Sequence, residues 1–207
     1  MPDAELTRQV QEKEREISEL RRRLRTEVDA LALIIDITAR LNSTLRLDEL
    51  LKLVMSSAAQ LLDGEECSLL LVDETTGDLI FEVSTRADEG LLGSRVPAGK
   101  GIAGWVVDRG EAAIVDNPRD DPRFYDSIDS ASGVETRSLV AVPLKVKDRV
   151  IGVVEVINRR GGERFGQKDL ELAQALTNQA AIAIDNARLY AELADAVVTA
   201  RMSYRLG

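Results

Sequence analysis

From residue 6 the apolar positions of the chain step by fours and threes, with Val10, Ile17, Leu24, Leu31, Thr38 and Leu45 in one row and Leu6, Lys13, Leu20, Glu27, Ile34 and Leu41 in the other. With Leu6 taken as d, these rows are the a and d positions of successive heptads, and charges such as Glu12, Glu14, Glu16 and Arg21 to Arg23 lie between them. That is the pattern of a coiled coil. A solvated, charge-laced single helix is the plainer alternative. Lys13 and Glu27 at d weaken the seam and suit a role in fixing register or strand number.

Asn42-Ser43-Thr44 interrupts this helix, and Asp48 and Glu49 fall in the first turn of the next, where acids complement the helix dipole. Leu47, Leu50, Leu51, Val54, Ala58 and Leu61 form one apolar face, which ends at Asp63-Gly64. Strand-like runs bounded by turn residues follow at Cys67 to Val72, Leu79 to Thr85, Ala112 to Val115, Leu139 to Val146 and Val150 to Ile157. Thr75 to Asp78 and Lys147-Asp148 read as hairpin turns, Gly101 to Asp108 as a short helix, and Asn117 to Gly133 as a long polar segment. From Asp169 the three-four spacing returns at Ala173, Leu176, Ala180, Ala183, Ala187, Tyr190, Ala194 and Val197. The expected fold class is α+β, a central antiparallel sheet with helices on both faces, flanked by long coiled-coil-type terminal helices. The expected division is a helix over 1–45, a domain over 46–190 and a helical extension over 191–207.

Composition removes chemistry rather than adding it. The chain has no His and one Cys, which excludes His-based triads, His-ligated haem, intrachain disulfides and Cys-rich zinc sites. Its formal net charge is −9, and residues 1–46 hold 9 basic and 9 acidic side chains, so the whole excess of acid lies beyond them. Nucleic-acid binding is therefore disfavoured. The first 20 residues lack the apolar stretch of a signal peptide, and no run of about 18 apolar residues occurs, so the expectation is a cytoplasmic chain without a membrane partner.

Five stretches together carry a family resemblance: Cys67 to Asp73, Gly101 to Val106, Asp121 to Phe124, Thr136 to Leu144, and Val150 to Asn158. In this order they resemble the GAF domain, a small-molecule sensing module of phosphodiesterases, cyclases, phytochromes and bacterial signalling proteins. The G-x-G-x-x-G within Gly99 to Gly104 is, on this reading, no dinucleotide fingerprint, because Pro97 spoils the preceding strand. Members that bind cyclic nucleotides carry an Asn-Lys, then a Phe with an Asp-Glu pair starting four residues later. Asn158, Arg159, Phe165 and Asp169 match that motif as pocket-bracing candidates, with Arg for Lys and Leu170 for Glu. Asp169 has a second reading as a cap of the last helix.

The resemblance implies ligand-binding candidates at Ser68, Thr85, Ala103, Ser132, Thr136 and Glu155, with hydroxyls and helix-start amides for a phosphate and a carboxylate for a base N–H. Ser84 and Thr85 stand where the cyclic-nucleotide branch has a stacking Phe and an edge-reading Asp. A cyclic nucleotide is thus one candidate among small metabolites, and neither haem nor bilin is expected. Cys67, beside Glu65 and Glu66, reads as a buried inert thiol whose neighbours raise its pKa. The acids Asp116, Asp120, Asp121, Asp126 and Asp129 lack a calcium-loop pattern, and neither a metal site nor catalysis is expected. The implied function is a homodimeric sensory module that signals through its terminal helices to a partner protein. The alternative is a ligand-free scaffold for dimerisation and protein docking.

Overall fold

The computed structural model describes residues 2–44, 46–85, 92–125 and 135–205. It divides into two compact units, residues 1–37 and 38–207. Helix α1 (Pro2–Ser43) supplies all of the first unit and ends in the second. Within the first unit Ile17, Leu20, Leu24, Val28, Leu31 and Ile35 are exposed, while Ile37 is buried. The hydroxyls of Ser43 and Thr44 donate to the carbonyl of Arg40, so the break expected at 42–44 is a helix end closed by its own side chains.

The second unit is built on a six-stranded antiparallel sheet, and this is the α+β architecture the sequence implies. Helix α2 (Leu47–Leu62) is followed by β1 (Gly64–Val72), β2 (Leu79–Ser84), β3 (Arg95–Val96), α3 (Gly101–Arg109), β4 (Ala113–Asp116), β5 (Ser138–Val146), β6 (Arg149–Arg159) and α4 (Gln167–Arg205). The strand order is β3-β2-β1-β6-β5-β4. Asp63 closes α2 in the left-handed region at φ 50°, which Asp tolerates better than most side chains.

The central strands are apolar on both sides because both faces are covered. Leu69, Val140, Val142, Val154 and Val156 are fully buried on the face that carries α2 and α4. Ala173, Leu176, Ala180, Ala183, Ile184 and Ala187 form the buried side of α4, and small residues allow close approach of helix to sheet. That burial stops at Ala187, since Tyr190 and Val197, which continue the same spacing, are exposed. On the opposite face Leu70, Phe81, Leu139, Ala141 and Val153 pack with Ile102 and Val106 of α3.

The five predicted strands form with ends shifted by up to three residues, whereas β3, only two residues long, carries no periodicity and was not predicted. The segment expected over 117–133 begins with a turn of 3-10 helix at Pro118–Asp120, and its later part, with Asp126 and Asp129, lies outside the described residues.

Candidate functional site

The α3 face of the sheet holds a small cavity. Leu70, Phe81, Leu139, Glu155 and Ile157 rise into it from the strands, Lys100 to Ala103 come from the start of α3, and Val96, Phe124, Tyr125 and Thr136 complete it. Its volume is about 60 Å³. Two glycines shape this corner. Gly101 has φ +74°, and a Cβ on Gly104 would stand 2.6 Å from the carbonyl carbon of Gly99, so the turn folds tightly on the helix only without side chains there.

Of the sequence-derived ligand candidates, Ala103, Thr136 and Glu155 line this cavity together. Ser68 is buried on the same sheet face, directly across from Glu155 in the β1–β6 pairing, but is not part of the lining. Thr85 is elsewhere engaged: its hydroxyl accepts the Cys67 N–H at 2.8 Å and donates to the Cys67 carbonyl at 3.3 Å, extending the β1–β2 pairing by one side-chain link. Ser132 lies outside the described residues. Lys100, Phe124 and Tyr125 were not among the ligand candidates, although Phe124 ends the Asp121-to-Phe124 stretch, with Tyr125 next to it, and Lys100 lies within the Gly99-to-Gly104 motif.

The bracing candidates sit behind the wall. Asn158 is buried, has φ 55°, and is the last residue but one of β6, with its amide turned to the strand entering β5. Its Oδ1 accepts the N–H of Arg137 at 2.8 Å and of Ser138 at 3.3 Å, and its Nδ2 donates to the Glu135 carbonyl at 3.1 Å. The three bonds bracket Thr136 and set its position. Next in sequence, Arg159 donates from Nη1 to Asp169 Oδ2 at 2.8 Å, and the same oxygen accepts the Gly166 N–H at 2.7 Å. Both readings of Asp169 therefore hold at once: it pairs with Arg159 and caps α4 from the first turn, in the manner of the acid in a capping box. Phe165 is buried beside them in sequence.

Trp105, half-buried on α3, carries the Arg123 guanidinium over its ring at 4.5 Å. Arg123 is held by two bonds to Asp121, at 2.9 and 2.7 Å. The hydrogen-bonded guanidinium keeps the Asp121 carboxyl below the ordinary range, against the opposing effect of burial. Cys67 is buried as expected and packs on Met55, but the cause of its raised pKa differs from the expectation. Burial is the larger effect, followed by the charge of Glu155 rather than Glu65 or Glu66. No cluster of three or more metal-ligating side chains occurs among the described residues. No helix of the described residues is long and apolar enough to cross a membrane.

The model of the GAF domain matches residues 46–184, and the chain belongs to that family. It is 30% identical over 170 residues to the Probable 3',5'-cyclic phosphodiesterase pde-5 of Caenorhabditis elegans, covering 77% of this chain and 23% of that protein. It is 37% identical over 143 residues to the Dual 3',5'-cyclic-AMP and -GMP phosphodiesterase 11A of Takifugu rubripes, covering 63% of this chain and 16% of that protein. The chain thus spans less than a quarter of either relative. In fold it resembles the GAF domain from a phosphoenolpyruvate-protein phosphotransferase of Coxiella burnetii, with a TM-score of 0.72, 20% identity, and coverage of 80% of this chain and 98% of that one.

Proposed function

We propose that this chain is a regulatory sensor module of the cytoplasm, which binds a small molecule in the cavity beside Thr136 and Glu155 and signals through its long helices to a partner protein. The observation that carries the reading is the short polar path from cavity to helix. Thr136 lines the cavity, the residues on both sides of it bond to Asn158, and the adjoining Arg159 pairs with Asp169 at the start of α4. A ligand that prefers one position of the 135–138 strand entry would bias α4 by its difference in affinity between the two arrangements.

Cyclic nucleotides are the first ligand class to test, because both relatives described above are named as cyclic nucleotide phosphodiesterases. Lys100 and the α3 amides offer donors to a phosphate, and Glu155 an acceptor for a base N–H. Dimerisation is supported by the apolar side chains left exposed on α4, Ile182, Leu189, Tyr190, Leu193 and Val197, together with the exposed row on α1. The test is the melting temperature of the chain across cyclic nucleotides and small metabolites, with a mass-spectrometric search for molecules that co-purify. A rise in the midpoint that Thr136→Val and Glu155→Gln abolish is expected. No rise with any compound and no co-purified molecule would remove the sensing claim.

The cavity's size favours a second reading. About 60 Å³ is well below the roughly 300–1,000 Å³ of ordinary ligand pockets. A ligand-free scaffold used for dimerisation and docking would keep such a cavity closed, so a nucleotide-sized ligand demands that Phe124 and Tyr125 move outward. The Phe124 N–H donates to the Asp121 carbonyl at 2.9 Å, and loss of its hydrogen-exchange protection on adding a ligand separates the two readings.

A further inference from the structure

On the face opposite the cavity, α2 and α4 leave one corner of the sheet open. Leu79 and Phe81 of β2 belong to the core on the cavity side, so strand alternation sends Ile80 and Glu82 to the helix side. There Ile80 is half-buried and pairs across the sheet with Leu71 of β1. These two form the floor of a groove that Leu47, at the start of α2, and the exposed Leu189 of α4 also line. Its volume of about 580 Å³ lies within the roughly 300–1,000 Å³ of ordinary binding pockets.

Five carboxylates and two guanidiniums line the same groove. Three of the acids are engaged. Arg149 pairs with Glu74 and, at 3.5 Å, with Asp185, while Asp73 holds Arg95 of β3 at 2.8 Å. Glu82 and Glu192 are exposed and make no hydrogen bond or ion pair among the described residues, and the same is true of the half-buried Arg188.

We propose that this groove docks a basic peptide segment of a partner protein, with an aliphatic side chain on Leu71 and Ile80, Lys or Arg on Glu82 and Glu192, and backbone carbonyls on Arg188. The inference rests on the partner reading above but not on the sensing one, since the cavity lies on the other face of the sheet. Charge selects the occupant. The excess acid of the chain lies beyond residue 46, so an acidic peptide or a second copy of the domain brings like charge to Glu82 and Glu192. A polyamine answers the carboxylates but has no acceptor for Arg188, whose guanidinium carries five donors. A basic peptide supplies cations and carbonyls together. The apolar floor supplies most of the affinity, because exposed ion pairs are individually weak, and the charges decide which segment fits. Arg188, Leu189 and Glu192 also follow directly on Ala187, where burial along α4 ends, so a docked segment touches α4 where it leaves the sheet.

The test selects random decapeptides displayed on phage against the full chain, then measures the selected sequences as labelled synthetic peptides by fluorescence anisotropy. Sequences rich in Lys or Arg with a large aliphatic residue are expected. Glu82→Lys with Glu192→Lys turns attraction into repulsion and is expected to weaken their binding about tenfold, and Arg188→Met about threefold. Glu111→Lys with Glu171→Lys changes the net charge equally at exposed acids outside the groove, and is expected to leave binding within about twofold. Urea unfolding followed by Trp105 emission checks that every variant folds. Acidic or uncharged selected sequences, no selected sequence, or equal weakening by the control pair overturns the site while leaving the cavity's melting test untouched. Spermine that displaces the peptides at micromolar concentration makes the occupant a small cation and overturns the peptide. A sedimenting dimer that the peptides dissociate, and that Glu82→Lys with Glu192→Lys abolishes, puts a second copy in the groove and overturns the partner.

Discussion

Replacing Asn158 with Ala strips three hydrogen bonds from a buried site and leaves an alanine at φ 55°. A net contribution of about 0.5–1.5 kcal/mol per bond gives about 3 kcal/mol for the set. The left-handed backbone adds about 1 kcal/mol, because a Cβ crowds the following carbonyl where Asn is tolerated. The expected loss is therefore about 3–5 kcal/mol, a large share of a domain's stability. Asn158→Gly loses the bonds without the backbone penalty and should recover about 1 kcal/mol of it. Asn158→Asp keeps the acceptor for Arg137 and Ser138 but sets an oxygen against the Glu135 carbonyl, for a loss of about 1–2 kcal/mol. Urea unfolding followed by the emission of Trp105, the single tryptophan of the chain, reads all three variants. An Ala variant within about 1 kcal/mol of the parent refutes the clamp, and a Gly variant no better than Ala refutes the backbone part of the reasoning.

Asp169→Asn should destabilise by about 2 kcal/mol, since Arg159 and the Gly166 N–H both lose a charged acceptor, and a double-mutant cycle with Arg159→Met should show positive coupling. Arg123→Ala should shift Trp105 emission with a stability loss under about 1 kcal/mol, as befits a partly exposed cation on a ring. The Asp121 carboxyl that orients Arg123 has a folded pKa below its unfolded value, so its contribution is complete above pH of about 4. It is lost as pH falls through the lower folded value, and a pH titration of Trp105 emission should be flat from 5 to 8 and change only in acid. Cys67 should resist thiol reagents in the native chain at pH 8 and react at once in urea, because burial and Glu155 both disfavour the thiolate.

Much of the fold was legible because it is written in periods. Unbroken apolar runs such as Leu69 to Leu71 and Leu139 to Val142 are what a sheet covered on both faces requires, and Asp63 and the Ser43-Thr44 pair end helices where their chemistry suits an end. Within the Asn158-Arg159 and Phe165-to-Asp169 signature, Arg159 and Asp169 are hydrogen-bonded to one another. What was not legible depends on convergence. Lys100, Phe124 and Tyr125 come from separate parts of the chain, and nothing in their local pattern says that they share a cavity with Thr136 and Glu155, which the family resemblance had brought together. Thr85 had the right residue type near the right strand, yet its hydroxyl is taken by the backbone of Cys67, a competition visible only once β1 and β2 are in register.

The same division applies to the helices. By itself the sequence determined that α1 is amphipathic, that small residues line α4 and that the excess acid lies beyond residue 46, because these are properties of spacing and composition. Only the tertiary structure decided that burial along α4 ends at Ala187. The same spacing runs on to Val197, but a helix buries only the length that has other elements against it, and spacing alone does not say where that length ends.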